Sequence, residues 1–209
     1  MSRFFTQQHR SLHSLRSPLS KHRRLIHAFT MTELVMVILI LGIIGAVILP
    51  RVFDRSGYEA RSFTDQSMFM LRYAQKVAIA QNRPVYVRLN GSSVALCFAA
   101  YPADGSCAAA NQVAAPNINN SGTANTLAAC AGITTWYCEG FASGISYTTA
   151  PALPAASSYF YYDALGAPFT YSDVSPTPTS SFTLLLIRIT GDGINHDIYV
   201  EPESGYVHS

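Results

Sequence analysis

No acidic residue precedes Glu33, and charged residues of either sign make up only 12% of the 209-residue chain, about half the roughly 25% usual for soluble domains. That scarcity implies a surface made polar by Ser, Thr, Asn and Tyr more than by ions. Catalytic signatures are also missing: there is no HExxH, GxSxG or Walker A motif. Of the six His, His9, His13, His22 and His27 lie in or beside the first 28 residues, which leaves only His196 and His208 further on. The four Cys show no CxxC spacing and no nearby His, which argues against a zinc site or a thioredoxin-type motif. An enzyme is therefore not expected, and neither is a metal or another cofactor.

The charge that is present is unevenly placed. Residues 1–28 hold Arg3, Arg10, Arg16, Lys21, Arg23 and Arg24, six of the 14 Lys and Arg, so residues 29–209 carry 8 − 12 = −4. An acidic body offers no electrostatic footprint for phosphate backbones, and nucleic acid is not an expected partner. The length accommodates one domain of ordinary size plus an appendage.

Cys97, Cys107, Cys130 and Cys138 all lie beyond the long apolar run. Two structural disulfides in an oxidising compartment are expected. Four cysteines allow three connectivities, and the sequence neighbours, Cys97 with Cys107 and Cys130 with Cys138, are taken as the pairs. Each short loop closed this way contributes about 2–3 kcal/mol.

The apolar run is "LVMVILILGIIGAVIL", 16 residues from Leu34 to Leu49, and with Phe29–Glu33 it reaches 21. At about 1.5 Å per residue that is enough for a hydrocarbon core of about 30 Å. Basic residues precede the run, so that end stays on the cytoplasmic side and the chain beyond Leu49 is carried across. A cleaved secretory signal would have a shorter apolar region and a small-residue cleavage site after it. Glu33 is costly in such a segment, and an acid at membrane depth points to a function and to a cationic partner.

The stretch "AFTMTELVMVILILGIIGAVILP" resembles the type IV prepilin signature: a short basic leader, a cut just before Phe, Glu at the fifth mature position and Pro at the twenty-second. With Phe29 first, Glu33 is fifth and Pro50 twenty-second. The resemblance implies that a prepilin peptidase cuts between Ala28 and Phe29 and methylates the Phe29 amine. It implies that Glu33 neutralises a neighbouring subunit's terminal amine in a growing filament. Gly42, Gly45 and Pro50 match the part of the helix that loosens on assembly, in keeping with the helix-breaking chemistry of Gly and Pro. The chain departs from the pattern at Ala28, where Gly is usual and slower processing is implied, and at Thr32, where an apolar residue is more common.

Beyond the run, Ala60, Phe63, Ser67, Met70, Ala74 and Val77 recur at three- and four-residue steps, the stripe of an amphipathic helix reaching about residue 82. A continuous helix from Phe29 to Asn82, about 80 Å long, is expected, with a bend at Pro50; the alternative is two separate helices broken at "PRVFDRSG". In "RPVYVRLNGSSVALCF", Val85, Val87 and Leu89 alternate with Tyr86 and Arg88, and Asn90-Gly91 signals a hairpin packed on that helix. The Ala- and Asn-rich middle, from Ala103 to about Thr135, reads as a long loop held by the disulfides. Further strands are expected at Ser158–Tyr162, Phe182–Ile189, Asp197–Val200 and Gly205–Val207. The aromatic stretch "SSYFYYD" reads as sheet packing more readily than as an adhesive surface. In "GDGINHD", Asp192, Asn195 and Asp197 offer oxygen ligands for calcium, but a hairpin turn explains the same residues without metal.

"LRYAQKVAIAQNRPVYVRL" and "HDIYVEPESGYVHS" are similar to the minor pilin and pseudopilin branch, which includes the MshC-like proteins of mannose-sensitive haemagglutinin pili and the H-type pseudopilins of type II secretion. The resemblance implies an α+β type IV pilin fold, a long N-terminal helix packed on an antiparallel sheet. It divides the chain into a leader (1–28), a transmembrane and filament-core helix (29–50) and a periplasmic globular domain (51–209). It implies a minor pilin in the inner membrane, assembled into or beneath an MSHA-like pilus. Its partners are other pilin subunits, the prepilin peptidase, the assembly platform and the membrane. The alternatives are an H-type minor pseudopilin and a pilus-tip module for adhesion or DNA uptake.

Overall fold

A computed structural model of the protein describes residues 30–53, 56–154, 158–174 and 178–209. The chain divides into two units, Met1–Ile48 and Leu49–Ser209.

Helix α1 (Met31–Phe53) begins in the first unit. Thr30 starts it: its Oγ1 accepts from the Glu33 N–H at 3.2 Å, and its carbonyl accepts from the Leu34 N–H at 3.1 Å, which satisfies amide donors otherwise left over at a helix start. Pro50 falls within α1, and the side chains from Val47 to Ser56 lie outside the described residues. Among the described residues, no helix is long and apolar enough to cross a membrane. The expected span also takes in Phe29, which lies outside the described residues, and Val47–Pro50, whose side chains do; the expected helical continuity falls on Asp54 and Arg55, which lie outside as well.

The second unit is α+β with antiparallel sheets, as expected. Helix α2 (Ser56–Gln81) ends in a Schellman motif: Asn82 takes a left-handed φ of 49°, its N–H donates to Ile79 O, and the Arg83 N–H donates to Ala78 O. The stripe read from the sequence is buried, and Leu71 and Ala78, both at 0% exposure, widen it. Val77 packs at its margin.

Nine strands occur among the described residues: β1 (Val85–Leu89), β2 (Ser93–Cys97), β3 (Cys138–Gly140), β4 (Ile145–Ala150), β5 (Tyr159–Tyr162), β6 (Pro168–Thr170), β7 (Leu185–Gly191), β8 (Ile194–Val200) and β9 (Val207–His208). They form two sheets, ordered β3-β2-β1-β5-β6 and β4-β7-β8-β9. The first hairpin pairs Leu89 with Val94, and the Asn90 side-chain oxygen accepts from the Ser92 and Ser93 N–H groups to tighten its turn. The second turns at Asp192 and Gly193, whose φ values of 52° and 71° are those of the primed turn that two-residue hairpins favour.

Strands β7 and β8 extend closer to their turn than the sequence suggested, because Thr190 pairs with Asn195 and Gly191 with Ile194 across it. The last strand falls at Val207–His208 instead of Gly205–Val207: Gly205 is held in a turn with φ of 64°, its N–H donating to Glu201 O. Phe160, Tyr161 and Tyr162 are at most 2% exposed, so the aromatic run is sheet packing. The long middle segment is not structureless. It carries a 3-10 turn, Ala109–Asn111, and helix α3 (Ala124–Ala129), capped by the Thr123 side chain accepting from the Thr126 N–H.

One core lies between α2 and both sheets, and includes Met70, Leu71, Val87, Leu96, Phe160, Ile187 and Ile198. A second, smaller core of Ala95, Cys97, Tyr101, Cys130, Trp136 and Cys138 covers the opposite face of the five-stranded sheet. Residues on one strand therefore belong to different cores by parity: Val85, Val87 and Leu89 to the first, Tyr86 and Arg88 to the second.

Candidate functional site

Glu33 stands in the first turn of α1, where a carboxylate suits the positive end of the helix dipole. With Thr30 it reads T-x-x-E, a helix-start pattern. That pattern is easily passed over in the sequence, because the spacing from Phe29 explains the acid first. Beyond it, each large apolar side chain from Met31 to Ile44 is 46–81% exposed. An unbroken apolar girdle is the property of a helix meant for surroundings other than water. The other expected processing residues, Ala28 and Phe29, lie outside the described residues, as does the Pro50 side chain.

All four cysteines are paired as expected. Cys97–Cys107 and Cys130–Cys138 have Cα separations of 6.1 and 5.9 Å. Between them the chain makes isolated bridges, Cys97 to Gln112 and Ala114 to Trp136, and the Trp136 ring nitrogen donates to Leu96 O at 2.7 Å. The disulfides thus pin a lobe onto β2 and β3. Within it, the buried Glu139 carboxylate accepts from the Ser121 N–H at 2.8 Å and from the Thr126 hydroxyl at 3.1 Å, which ties α3 to β3.

The lobe also buries Arg88, which alternates with Val87 and Leu89 along β1. Its guanidinium donates to Gly105 O and to Ser93 Oγ at 2.7 Å, and lies 5.5 and 5.4 Å from the ring centroids of Tyr101 and Trp136. Burial lowers its pKa, partly opposed by Tyr101. No local signal in "VYVRL" distinguishes this arginine, because what covers it comes from residues 101–138.

The residues weighed for calcium all take part in the β7–β8 hairpin. Asp192 occupies the hairpin turn, and Asn195 accepts from the Thr190 hydroxyl at 2.8 Å. Asp197 takes two hydrogen bonds from Arg188, both 2.7 Å. Those bonds hold its carboxyl below the usual carboxylate range and raise the Arg188 pKa. Among the described residues there is no group of three or more His, Cys, Asp or Glu arranged to hold a metal.

Two side chains of α2 fasten the C-terminal hairpin. Arg72 donates twice to Val207 O, at 3.1 and 2.8 Å, and Gln75 donates to Gly166 O at 2.9 Å and Ser204 O at 2.7 Å. Gly205 sits in that clamp; a Cβ there would meet Gly166 O at 2.7 Å, so only glycine fits both the space and the positive φ. On β4, the Tyr147 hydroxyl donates to Leu89 O and joins the two sheets, its own pKa pushed up to about 12 by burial.

No family model matches the sequence, and no curated protein matches it. Among solved structures, the type IV minor pilin FimU of Pseudomonas aeruginosa is similar at 16% identity with a TM-score of 0.44, over 74% of this chain and 90% of its own. A second crystal form of FimU gives a TM-score of 0.38. The minor pseudopilin EpsH from the Type 2 Secretion System of Vibrio cholerae is similar at 14% identity with a TM-score of 0.40, over 74% of this chain and 95% of its own. Likenesses this weak assign no role to any residue of this chain.

Proposed function

We propose that the chain is a non-catalytic minor pilin. It inserts in the inner membrane, is cut between Ala28 and Phe29 by a prepilin peptidase, is methylated at Phe29, and is assembled into or beneath an MSHA-like type IV pilus. The observation that carries this reading is a single acid, Glu33, at the capped start of a helix whose described apolar side chains are exposed on all sides. In a filament core such helices exchange lipid for one another. Glu33 then meets the new amine of a neighbouring subunit, and each removes an otherwise unpaired buried charge. The globular body is held together by its own cores and disulfides, as a domain displayed in an oxidising space needs to be. The partners on this reading are other pilin subunits, the peptidase, the assembly platform and the membrane.

Mass spectrometry of the mature N-terminus tests processing: the expected chain begins at a methylated Phe29, and an intact, fully active chain beginning at Met1 would overturn the reading. Glu33→Ala tests assembly. The variant is expected in the membrane at normal levels but absent from sheared surface filaments, and normal recovery in filaments counts against the proposal. A type II secretion pseudopilin would use the same amine–carboxylate pairing, and recovery of the wild-type subunit in surface pili distinguishes the pilus reading from it.

A further inference from the structure

Each sheet has two edge strands, and on three of the four the domain itself holds outward backbone groups. The alternation of an antiparallel ladder decides which groups those are. On β9 the Val207 carbonyl is taken by Arg72. On β6, Pro168 has no N–H and its carbonyl accepts from the Ser180 hydroxyl at 2.6 Å. The Thr170 N–H donates to the Asp173 carboxylate at 3.1 Å, and the Thr170 carbonyl accepts from the Asp173 N–H at 3.1 Å. On β3 the Gly140 N–H donates to the Thr126 hydroxyl at 3.1 Å.

The edge of β4 is different. Gly191 closes the β7–β8 hairpin opposite Ile194, so its backbone groups point to β8, and Leu186, Arg188 and Thr190 are the residues that point to β4. Their partners are Ala150, Thr148 and Ser146. Ile145, Tyr147 and Thr149 therefore turn their backbone groups outward, the Ile145 N–H onto the Ala142 carbonyl at 3.3 Å. The N–H and C=O groups of Tyr147 and Thr149 have no partner among the described residues, and backbone groups without a protein partner face water. With six residues β4 is also the longest edge strand, against three in β3 and β6 and two in β9. It contains no Pro and no charged residue, the devices that ordinarily keep an edge from pairing.

We infer that the outer edge of β4 receives an extended strand from a neighbouring subunit in the assembled filament, which adds a fifth strand to the β4-β7-β8-β9 sheet. The inference rests on the pilus reading above. Donors and acceptors that repeat every second residue match another polypeptide main chain. The partner must present an extended stretch, free of Pro, with its own N–H and C=O groups unpaired. Beside it on the outer face lie Ser146, Thr148 and Ala150, small, exposed and uncharged. The charge next to them on β7, Arg188, is already answered by Asp197. The strand that fits is therefore uncharged and is recognised through its main chain.

Residue-resolved amide hydrogen exchange on the full chain, purified in detergent and again within sheared filaments, tests this. In detergent the amides of Ser146, Thr148 and Ala150, bonded to β7, should exchange slowly and those of Tyr147 and Thr149 fast. In filaments the two fast amides should slow at least about tenfold, the effect of one hydrogen bond each. Covering a side-chain face alone does not produce that alternating gain. Thr149→Pro removes an outward N–H where an edge strand tolerates proline, and Thr149→Val keeps it; both lose the side-chain bond from the Leu153 N–H. Recovery in filaments should fall at least about fivefold for Pro relative to Val, since the partner's acceptor is left unpaired. Where the Pro variant melts lower than the Val variant, the wild-type exchange pattern decides. Wild-type subunits recovered in filaments with Tyr147 and Thr149 still exchanging fast would overturn the inference and leave the pilus reading standing. A chain absent from filaments would overturn that reading itself. Protection that grows with protein concentration in detergent alone would overturn the inference in favour of pairing between two copies of β4.

Discussion

The two long helices are close in length, 23 residues in α1 and 26 in α2, and opposite in design. In α2 the stripe through Ala60, Phe63, Met70, Leu71, Ala74 and Ala78 is buried, while Glu59, Arg61 and Lys76 lie toward water. In α1 the apolar residues do not form a stripe, and the described ones are exposed around the whole circumference. The difference teaches what each helix is stabilised by. α2 exists because the two sheets accept its apolar face; α1 is supplied with apolar surface far beyond what a single partner sheet could cover.

Matched truncations test that contrast most strongly. Leu71→Ala removes a side chain at 0% exposure from the main core, and such changes cost about 2–5 kcal/mol. Leu39→Ala, at a position 59% exposed, should leave the unfolding of the globular unit within about 0.5 kcal/mol of wild type. Denaturant unfolding of both variants in the same detergent is the measurement. A comparable loss for Leu39→Ala would show that α1 is part of the folded core after all.

The contrast was legible in advance because period is a local property: a run without polar interruption and a three-to-four stripe are visible in any short window. The Asn90-Gly91 hairpin and the disulfide pairs were legible for the same reason. What escaped were features created by distance. β3 and β6 are three residues each, too short to carry alternation. β4 does alternate, in Ile145, Tyr147 and Thr149, but its polar Ser and Thr gave it no apolar face to recognise. The burial of Arg88 has no local signal either, because what covers its side of the sheet comes from residues 101–138.

The lobe sharpens the comparison at the next level of effect. Replacing Cys130 and Cys138 together by Ala should cost the globular unit about 2–3 kcal/mol, since the bridge closes a loop of sequence separation 8 and both residues are fully buried. The loss should appear as a lower denaturant midpoint and as earlier proteolysis between residues 101 and 137. Membrane extraction of the same variant should match wild type, because α1 has no cysteine to lose. A changed extraction profile would mean that the lobe and the apolar helix depend on one another.

The smallest expected effect comes from acid. Asp197 takes its two hydrogen bonds from Arg188, and they lower its carboxyl pKa in the folded state. A carboxylate with a depressed folded-state pKa adds stability that is fully present above its unfolded value, near 4, and is lost as pH falls through the lower folded value. The pair is substantially exposed, with 42% and 24% of the two side chains accessible, so solvent screening keeps its share small. Melting curves between neutral pH and about pH 3 should therefore show a modest acid-induced decline in wild type. Part of that decline should be missing when Arg188→Gln and Asp197→Asn are combined, and the helical signal of α1 should not follow it. Identical pH profiles in wild type and double variant would remove Asp197 as a source of the decline and assign it to other carboxylates of the globular unit.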